Sequence, residues 1–510
     1  MKRELIFLIL IIAFAIFSRI YRLWEPPTYM FDEVYHAFTA VELEKGNKMA
    51  WEWWNTPPQG FAYEWTHPPL AKEFMVLGIK MFACLHLPSA TNSQMSADGR
   101  QDPNPFAWRF PGALFGVGVI YLIYLLGKEL FNERVGLIAS FLASIDGLIF
   151  VQSRIGMNDT YFLFFMLLAF YFFIRYYQNV SRKFTDVSNR AEVANEIFSG
   201  TNWPSFLKNL LAPRTHKITE LSKIVGRQPL HNPSFWMILT GISLGLSLAS
   251  KWTALYGIGI IGILGGLGIL NTLRRWGKRE ILRAIYYLLS ATIIIPVIIY
   301  LVSYIPFFTS GHTWAQFNEL QHQIWWYHTN LKATHPYQSL WYTWPLMYRP
   351  VWFYVKYGIG EIANVYTMGN PLIWWAGIVA ICFAIWELLR SLMQRGIDKL
   401  PAIPIYSLLV ILFGYFGFIL PWARSPRIMF LYHYLPSVPF MCLALGYGLN
   451  KIWEIGLIGK IGQIKITGKV LALCYLLSVL IVFIYFYPHL SGLSVPTWLN
   501  DSYYWFKSWK

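Results

Sequence analysis

The sequence predicts an all-α polytopic membrane protein with about 11 transmembrane helices and two large external loops. Of its 510 residues, 56% are hydrophobic and only 13% are charged, whereas soluble proteins carry about 25% charged residues. The apolar residues occur in runs of roughly 17–25, the length of a helix that crosses a bilayer. This composition excludes a soluble enzyme, a disordered chain and a small disulfide-stabilised domain.

The predicted spans begin with the apolar run from Leu5 to Phe17, which follows Met1-Lys2-Arg3. Because the run lacks a cleavage site of small residues, we interpret it as an uncleaved signal anchor with a cytoplasmic N-terminus. The segment 70–87 is also apolar, but charged residues interrupt it, and we expect a helix lying along the external surface. Ten further spans are predicted near residues 108–127, 135–153, 160–177, 235–250, 253–270, 284–306, 372–389, 403–420, 428–448 and 469–487.

Basic residues set the predicted orientation. The formal net charge is +16, and loops rich in Lys and Arg remain cytoplasmic in membrane proteins. Because the excess of Lys and Arg forms no continuous basic face, we expect no nucleic acid as a partner. We expect membrane lipids to surround the protein. The basic loops lie near residues 128–134, 175–233, 271–283, 390–402 and 450–469.

This orientation divides a single transmembrane domain, residues 1–510, into external and cytoplasmic parts. The cytoplasmic loop at 178–233 is polar, whereas both large external loops are dense in Trp, Tyr, His and Pro and do not resemble flexible linkers. We therefore expect the chemistry to lie on the external side. The predicted external parts are a first loop at 20–107, a second large loop at 308–370 and a C-terminal tail at 488–510.

The first candidate site is the carboxylate pair Asp32-Glu33, just after the first span. Adjacent carboxylates point in different directions, so the two can take different roles. Acidic residues also favour helix N-termini for purely structural reasons. Ionisable groups at membrane level are nevertheless functional candidates by default, and we favour a catalytic role for this pair.

A histidine motif and a set of cations accompany the pair. In His67-Pro68-Pro69-Leu70-Ala71-Lys72 the prolines fix the backbone around the histidine. Single cations at helix ends are more often interfacial anchors, but together they suggest a phosphate site, because the guanidinium fork donates two parallel hydrogen bonds. The set comprises Arg109, Arg154, Lys251, His335, Arg349, Arg424, Arg427 and His433.

Several long motifs, in the same order, resemble those of the protein O-mannosyltransferases, membrane enzymes of the GT-C fold. The resemblance covers nearly the whole chain. It rests on Asp32-Glu33 and on HPPLAK at 67–72, RFPGALFG at 109–116, ASIDGLIFVQSRIGMNDTYFLFF at 143–165, SKWTALY at 250–256, HPYQSLWYTWPLMYRPVWFY at 335–354 and YHYLPSVPF at 432–440. Eukaryotic members insert a MIR domain in the second external loop. This loop is too short to hold one, so the resemblance is to the prokaryotic type.

The resemblance implies transfer of mannose from a polyprenyl-phosphate-mannose donor to Ser or Thr hydroxyls of secreted or membrane proteins, with inversion at the anomeric carbon. It implies a multi-pass plasma-membrane protein with an external active site and C-terminus. Asp32 matches the family's proposed base, and Glu33 is expected to orient the acceptor or the sugar. We expect donor contacts from Arg109, His335, Arg349, Arg427, Arg154 and Lys251, and acceptor or loop positioning by His67, Lys72, Asp159, Tyr337 and His433. No residue is assigned to a metal; a divalent cation is compatible with the site but not required.

Three alternatives remain open on the sequence alone. A GT-C enzyme that transfers another sugar to a lipid, such as an aminoarabinose transferase, would share the carboxylate and the phosphate site. A transporter would place charged residues near mid-membrane, whereas here they gather at the external ends. A non-catalytic subunit would retain the fold without needing Asp32.

Overall fold

The protein is mainly helical in the structure, a computed structural model that describes residues 3–83, 103–199, 233–272, 277–395, 403–461 and 464–510. The helices, numbered α1 to α18 in chain order, are Arg3–Ile20, His36–Glu44, Leu70–Ala83, Pro105–Leu130, Glu133–Ser144, Gly147–Gln152, Asp159–Ser199, Pro233–Ser250, Ala254–Thr272, Lys278–Leu289, Ile295–Ser303, Ile305–Thr309, Trp314–Asn330, Pro371–Arg395, Ile403–Ile419, Val438–Trp453, Gly468–Ser491 and Thr497–Ser502. The strands β1 to β5 are Val351–Tyr357, Glu361–Thr367, Leu457–Ile461, Ile464–Thr467 and Ser494–Pro496.

Every predicted span overlaps helical structure, although residues 428–430 of the span predicted at 428–448 are not helical, and the segment 70–87 begins with α3. Among the described residues, six helices are long and apolar enough to cross a membrane, and two shorter apolar helices lie at Ser234–Ser250 and Ala254–Leu270. The helical membrane fold is therefore confirmed, while the total of eleven crossings stays a prediction. The six helices are Pro105–Leu130, Asp159–Val180, Lys278–Thr309, Pro371–Gln394, Ile405–Arg424 and Gly468–Ser491.

The third predicted span is not one continuous helix. It breaks between α5 and α6, where Asp146 caps the second helix by accepting a hydrogen bond from the backbone N–H of Ile149 at 3.1 Å. The other carboxylate oxygen accepts from the indole of Trp374 at 2.8 Å and from the backbone N–H of Asn370 at 3.2 Å. The break therefore joins this helix pair to the start of α14.

The second external loop and the C-terminal tail contain a small sheet, which the all-α prediction missed. Strand β1 pairs with β2, and β2 pairs with β5, both antiparallel. Arg349, just before β1, donates hydrogen bonds of 2.7 Å to the backbone oxygens of Ser508 and Lys510. The tail is thereby held against the loop.

Helices α4 and α5 approach closely because two glycines face each other. A Cβ atom at Gly127 would lie 2.7 Å from the Cα of Gly136, closer than real carbon atoms approach. Small residues at such contacts let helix backbones pack together within a membrane. The contact fixes α4, which carries Arg109 near its N-terminal end.

A fully buried ion pair between Glu33 and Arg109 fixes the start of the first external loop. Arg109 donates to both carboxylate oxygens, from Nε at 2.8 Å and from Nη2 at 2.6 Å. Its remaining N–H groups donate to the backbone oxygens of Leu23, Pro26 and Thr28. Since a guanidinium has five N–H donors, all of them are used. The expected role of Arg109 in binding the donor phosphate does not fit this arrangement.

Arg154 holds the end of α1. Its Nη1 donates to the carbonyl oxygens of Ser18, Arg19 and Tyr21. Its Nη2 donates to the carbonyl oxygen of Arg22 at 3.3 Å. The last carbonyls of a helix lack intrahelical partners and carry partial negative charge, so a buried cation stabilises them. Arg154 therefore caps this helix end, and its expected contact with the donor stays a prediction.

Replacing Glu33 by Gln should destabilise the protein strongly, because Arg109 would stay buried without a counter-ion. Breaking a buried pair in this way costs about 3–5 kcal/mol. We expect a clear fall in the unfolding temperature of the purified protein in detergent, or failure to accumulate as a monodisperse species.

The matched control is Glu387→Gln. Its carboxylate lies 3.8 Å from the guanidinium of Arg390, whose side chain is about half exposed, and exposed pairs contribute less than about 1 kcal/mol. Equal stability of Glu33→Gln and the unmodified protein would contradict the anchoring role of the buried pair.

Candidate active site

Asp32 lies in a short 3₁₀ turn, Phe31–Val34, and its side chain takes part in none of the described hydrogen bonds of the Glu33 anchor. The turn begins with Phe31 at φ +48°, a left-handed conformation that costs a non-glycine residue on the order of 1–3 kcal/mol. The ring of Phe31 stacks on Phe353 at 4.1 Å between centroids, which holds the residue there. Backbone strain of this kind is typical of functional sites.

The carboxyl group of Asp32 is surrounded by charges from four other segments. Burial raises the pKa of Asp32 to about 7; Glu64 and Asp159 act in the same direction, while Lys251 and Arg427 oppose them. Within the described residues, no side chain donates a hydrogen bond to this carboxyl. We call Asp32, Glu64, Asp159, Lys251 and Arg427 the Asp32 cluster.

Glu64 is the carboxylate of a buried network that includes the predicted His67 and Lys72. Its Oε1 accepts a hydrogen bond from His67 Nδ1 at 2.9 Å, and the Lys72 ammonium donates to the backbone oxygens of Glu64 and His67 at 2.7 and 3.0 Å. Burial alone would raise the pKa of Glu64, but His67, His36 and Lys72 hold it well below its usual range. Glu64 is therefore ionised at neutral pH.

His67 and the neighbouring His36 are both neutral at that pH. Burial lowers the pKa of His67 to about 4, although Glu64 opposes the shift. It lowers the pKa of His36 to about 3. Each imidazole therefore keeps one nitrogen lone pair available.

Asp159 and Lys251 form a second buried ion pair. The first residue of α7, Asp159, accepts a hydrogen bond of 2.8 Å from the ammonium of Lys251, which follows α8. The other carboxylate oxygen of Asp159 is buried without a hydrogen-bond partner. Because an ammonium has three donors, this pair leaves two of them for another anion.

Arg427 is held by a histidine of α13. His328 Nε2 donates to the backbone oxygen of Thr66 at 3.0 Å, so its Nδ1 carries the lone pair that accepts from Arg427 Nη1. Burial lowers the pKa of His328 to about 4, which is consistent with this neutral form. The Nε of Arg427 is buried without a partner. His328 therefore links both external loops to a cation with free donors.

Aromatic residues border the cluster on the side of α16. Tyr432 and His433 are buried, with ring centroids 4.6 Å apart. The ring of Tyr432 also meets Phe31 edge-on at 5.9 Å. The Nδ1 of His433 lies 3.0 Å from both the backbone nitrogen and the backbone oxygen of Phe430, so it accepts from the N–H in one tautomer and donates to the oxygen in the other. The predicted His433 thus helps to position the ring of Tyr432 beside the Asp32 cluster.

The remaining predicted residues have no described side-chain contact with the Asp32 carboxyl. Glu33 accepts hydrogen bonds only from buried groups of the anchor, among them the indole of Trp108 and the backbone N–H groups of Gly156 and Met30. Its described contacts are structural, and its expected role in orienting the acceptor stays a prediction. No described contact joins the other four to Asp32. These four are Arg109, Arg154, Arg349 and His335. Arg109 belongs to the buried ion pair and Arg154 caps α1. Arg349 holds the C-terminal tail and lies 4.6 Å from the ring of Tyr337, and the exposed His335 accepts a hydrogen bond at Nδ1 from the backbone N–H of Tyr337.

The sequence analysis missed Glu64, His36 and His328. The scarcity of acidic residues, 26 in all, could have pointed to Glu64, three positions before the singled-out histidine. His36, four residues after Asp32, could have been found in the same way. His328 carries no local signal, because its partners Thr66 and Arg427 are distant in the chain.

Comparisons with known proteins agree with this architecture. The family described as dolichyl-phosphate-mannose-protein mannosyltransferase matches residues 9–190 and 226–310, and the C-terminal four TMM region of protein-O-mannosyltransferase matches residues 313–509. The chain belongs to the protein O-mannosyltransferase family. The resemblance stated from the sequence motifs is thereby confirmed.

Bacterial members of the family resemble the chain over most of its length. The polyprenol-phosphate-mannose--protein mannosyltransferase of Corynebacterium glutamicum is 25% identical, over 87% of this chain and 81% of its own. The Mycobacterium tuberculosis protein of the same name is 24% identical, over 95% and 87%.

Solved structures confirm the GT-C fold. The Saccharomyces cerevisiae Pmt1–Pmt2 complex bound to the sugar donor matches with a TM-score of 0.73 at 15% identity, covering all of this chain and 93% of its own. The oligosaccharyltransferase AglB of Archaeoglobus fulgidus matches with a TM-score of 0.52 at 12% identity, over 96% of this chain and 55% of its own.

Replacing Asp32 by Asn should stabilise the protein at pH 8 and not at pH 4. The folded state binds the Asp32 proton more tightly than the unfolded state, whose pKa is near 3.8. Stability is therefore lost as pH rises from about 4 to about 7, and the loss is complete above that range. Asn cannot ionise and escapes the loss. Thermal unfolding in detergent across this range measures the difference between the two proteins.

Asp501→Asn, on the exposed helix α18, is the control and should show no such pH-dependent difference. A stability difference between Asp32→Asn and the unmodified protein that does not grow with pH would refute the raised pKa.

Proposed function

We propose that this protein transfers mannose from a polyprenyl-phosphate-mannose donor to Ser or Thr hydroxyls of proteins, with inversion at the anomeric carbon. The observation that carries the proposal is the Asp32 carboxyl, which has no hydrogen-bond partner among the described residues and lies beside Lys251 and Arg427. Membership of the mannosyltransferase family supports the sugar, the lipid carrier and the protein acceptor.

Asp32 acts as the general base in this proposal. A hydroxyl is a weak nucleophile, and a positioned base that takes its proton accelerates attack by about 10²–10⁴-fold. A base is most effective when its pKa lies near the working pH, and burial beside Glu64 raises the pKa of Asp32 to about 7. The hydroxyl oxygen forms its bond to C1 of mannose while its proton passes to Asp32.

Arg427 and Lys251 receive the leaving group. As the bond from C1 to the phosphate oxygen breaks, the lipid phosphate gains negative charge, and fixed cations stabilise that charge more in the transition state than in the ground state. Both cations keep unused donors: Arg427 at its buried Nε, and Lys251 beyond its one bond to Asp159. Inversion requires attack from the side opposite the phosphate, so the base and the cations flank C1.

The proposal extends to the setting of the reaction. The donor is a lipid, and the acceptors are secreted or membrane proteins that reach the external side of the plasma membrane. The multiple apolar helices support a multi-pass membrane protein, and the predicted orientation puts both large loops on that side. The acceptor meets the cluster where the two loops join, at the contact of His328 with Thr66.

The direct test is mannose transfer by Asp32→Asn. Membranes containing the protein are incubated with radiolabelled polyprenyl-phosphate-mannose, and label is measured separately in protein and in glycolipid. We expect label in protein, reduced by at least about 10²-fold in the variant because the base is lost. Asp501→Asn should transfer normally.

Two outcomes would reject the proposal. Label found only in glycolipid would indicate a lipid acceptor. Undiminished transfer by Asp32→Asn would mean that another group, or none, takes the proton.

A second test addresses Arg427 and the histidine that holds it. Loss of one preorganised charge-stabilising donor lowers kcat by about 10²–10³-fold, so Arg427→Gln should fall in that range. His328→Ala should have a smaller effect, since the arginine remains. Because His328 acts through Arg427, the double variant should be no slower than Arg427→Gln alone. Steady-state kinetics of the four proteins measures this coupling.

Arg424→Gln is the matched control, since this exposed arginine lies on the same short turn as Arg427. Additive effects of the two substitutions would exclude the positioning role of His328, and an equal loss in Arg424→Gln would exclude a specific role for Arg427.

A further inference from the structure

The buried cluster of His36, Glu64 and His67 contains more ligand groups than the transfer reaction uses. One nitrogen or oxygen atom from each side chain lies within 4.8 Å of the others. The two imidazole rings are 5.5 Å apart between centroids and inclined by 50°. Such a set of two histidines and one carboxylate forms the protein ligands of open zinc sites.

A second observation points to a missing partner at the same place. His36 is 4% exposed, and its Nδ1 is buried with no hydrogen-bond partner. Buried polar side-chain atoms are nearly always hydrogen-bonded, or they meet a water or an ion. In the described part of the chain, the nearest potential ligands for this imidazole are the carboxylate of Glu64 and the ring of His67.

We propose that His36, Glu64 and His67 bind a divalent transition-metal ion, with zinc as the best match. The ligand types agree with zinc, which takes neutral imidazole and carboxylate at about 2.0–2.2 Å. Around one ion these atoms would be about 3.3–3.5 Å apart, so closure needs small side-chain movements.

The ion would join two separate parts of the first external loop. His36 lies in the first turn of α2, whereas Glu64 and His67 lie just before α3. The hydrogen bond from the backbone N–H of Glu64 to the hydroxyl of Thr39, at 2.7 Å, already joins the same two parts. A metal would reinforce this connection beside the Asp32 cluster. Binding does not depend on the proposed transfer reaction.

Neighbouring cations set the expected strength of the site. Lys72 donates to the backbone oxygens of Glu64 and His67, and its charge acts on His36 together with that of Lys251. These charges repel a metal ion, so the affinity should be lower than that of a closed structural zinc site. The site would therefore be emptied readily by a chelator.

Cobalt(II) titration tests the proposal without measuring activity. The full chain, purified in detergent without a histidine tag, is treated with chelator and titrated with Co²⁺, whose visible absorption reports a tetrahedral nitrogen and oxygen environment. We expect one equivalent to give this absorption, and Zn²⁺ to displace it. His36→Gln, Glu64→Gln and His67→Gln should each weaken Co²⁺ binding by about tenfold or more.

The matched control is His322→Gln. His322 and Glu319 form an exposed pair, 3.6 Å apart, with the same sequence spacing as Glu64 and His67. Among the described residues, no third potential metal ligand lies beside this pair. This variant should bind Co²⁺ like the unmodified protein. Equal loss in His322→Gln would show surface binding and overturn the proposal, as would absence of the absorption from the unmodified protein.

Thermal unfolding covers the case in which a ligand variant does not fold. Zn²⁺ should raise the unfolding temperature of the unmodified protein and of His322→Gln, because an ion that binds only the folded state stabilises it. No shift in either protein would overturn the proposal. An equally large rise in the unfolding temperature of a folded His36→Gln protein would also overturn it, because Zn²⁺ would then bind without His36.

Discussion

The buried ion pair between Glu33 and Arg109 is the interaction on which the geometry of the site depends. Both side chains are fully buried, and removing two charges from water is unfavourable unless each is completely bonded. Here every N–H group of the guanidinium has an acceptor, and both carboxylate oxygens accept two or more hydrogen bonds. Because the pair fixes the backbone at residue 33, it also fixes the direction in which the preceding residue points. Asp32 can then remain unbonded at a defined position.

The Asp32 cluster is a balance of opposite charges. Three carboxylates and the cations Lys251 and Arg427 lie within electrostatic range of one another, with Lys72 close behind Glu64. Removing either cation would raise the pKa of Asp32 further, and removing Glu64 would lower it. A carboxyl group with a pKa near 7 therefore results from the whole arrangement and not from Asp32 alone. Such a site resembles preorganised electrostatic catalysis, in which the charges are in position before the substrate arrives.

Sequence alone predicted the parts of this protein that depend on local pattern. Hydropathy located the helices. Asp32 was predicted from the carboxylate pair after the first span, and Lys251 and Arg427 from their positions at predicted external helix ends. The roles of Arg154 and Arg349 could not be predicted, because both bind backbone oxygens that are brought near only by folding. The small sheet was missed for the same reason: β5 pairs with β2 from more than a hundred residues away, and strand pairing of this kind leaves no periodic signal in a short aromatic segment.

The arginines near the site differ in the groups that their described hydrogen bonds meet. Near a membrane surface, an arginine most readily meets the unpaired carbonyls of helix ends and loops, and Arg154 and Arg349 do this while Arg109 also pairs with Glu33. Arg427 differs, since its described hydrogen bond goes to the lone pair of a neutral histidine and its Nε stays free. A histidine orients the guanidinium without neutralising its charge. The described hydrogen bond therefore leaves that charge unneutralised, which is why we propose that Arg427 receives the departing lipid phosphate.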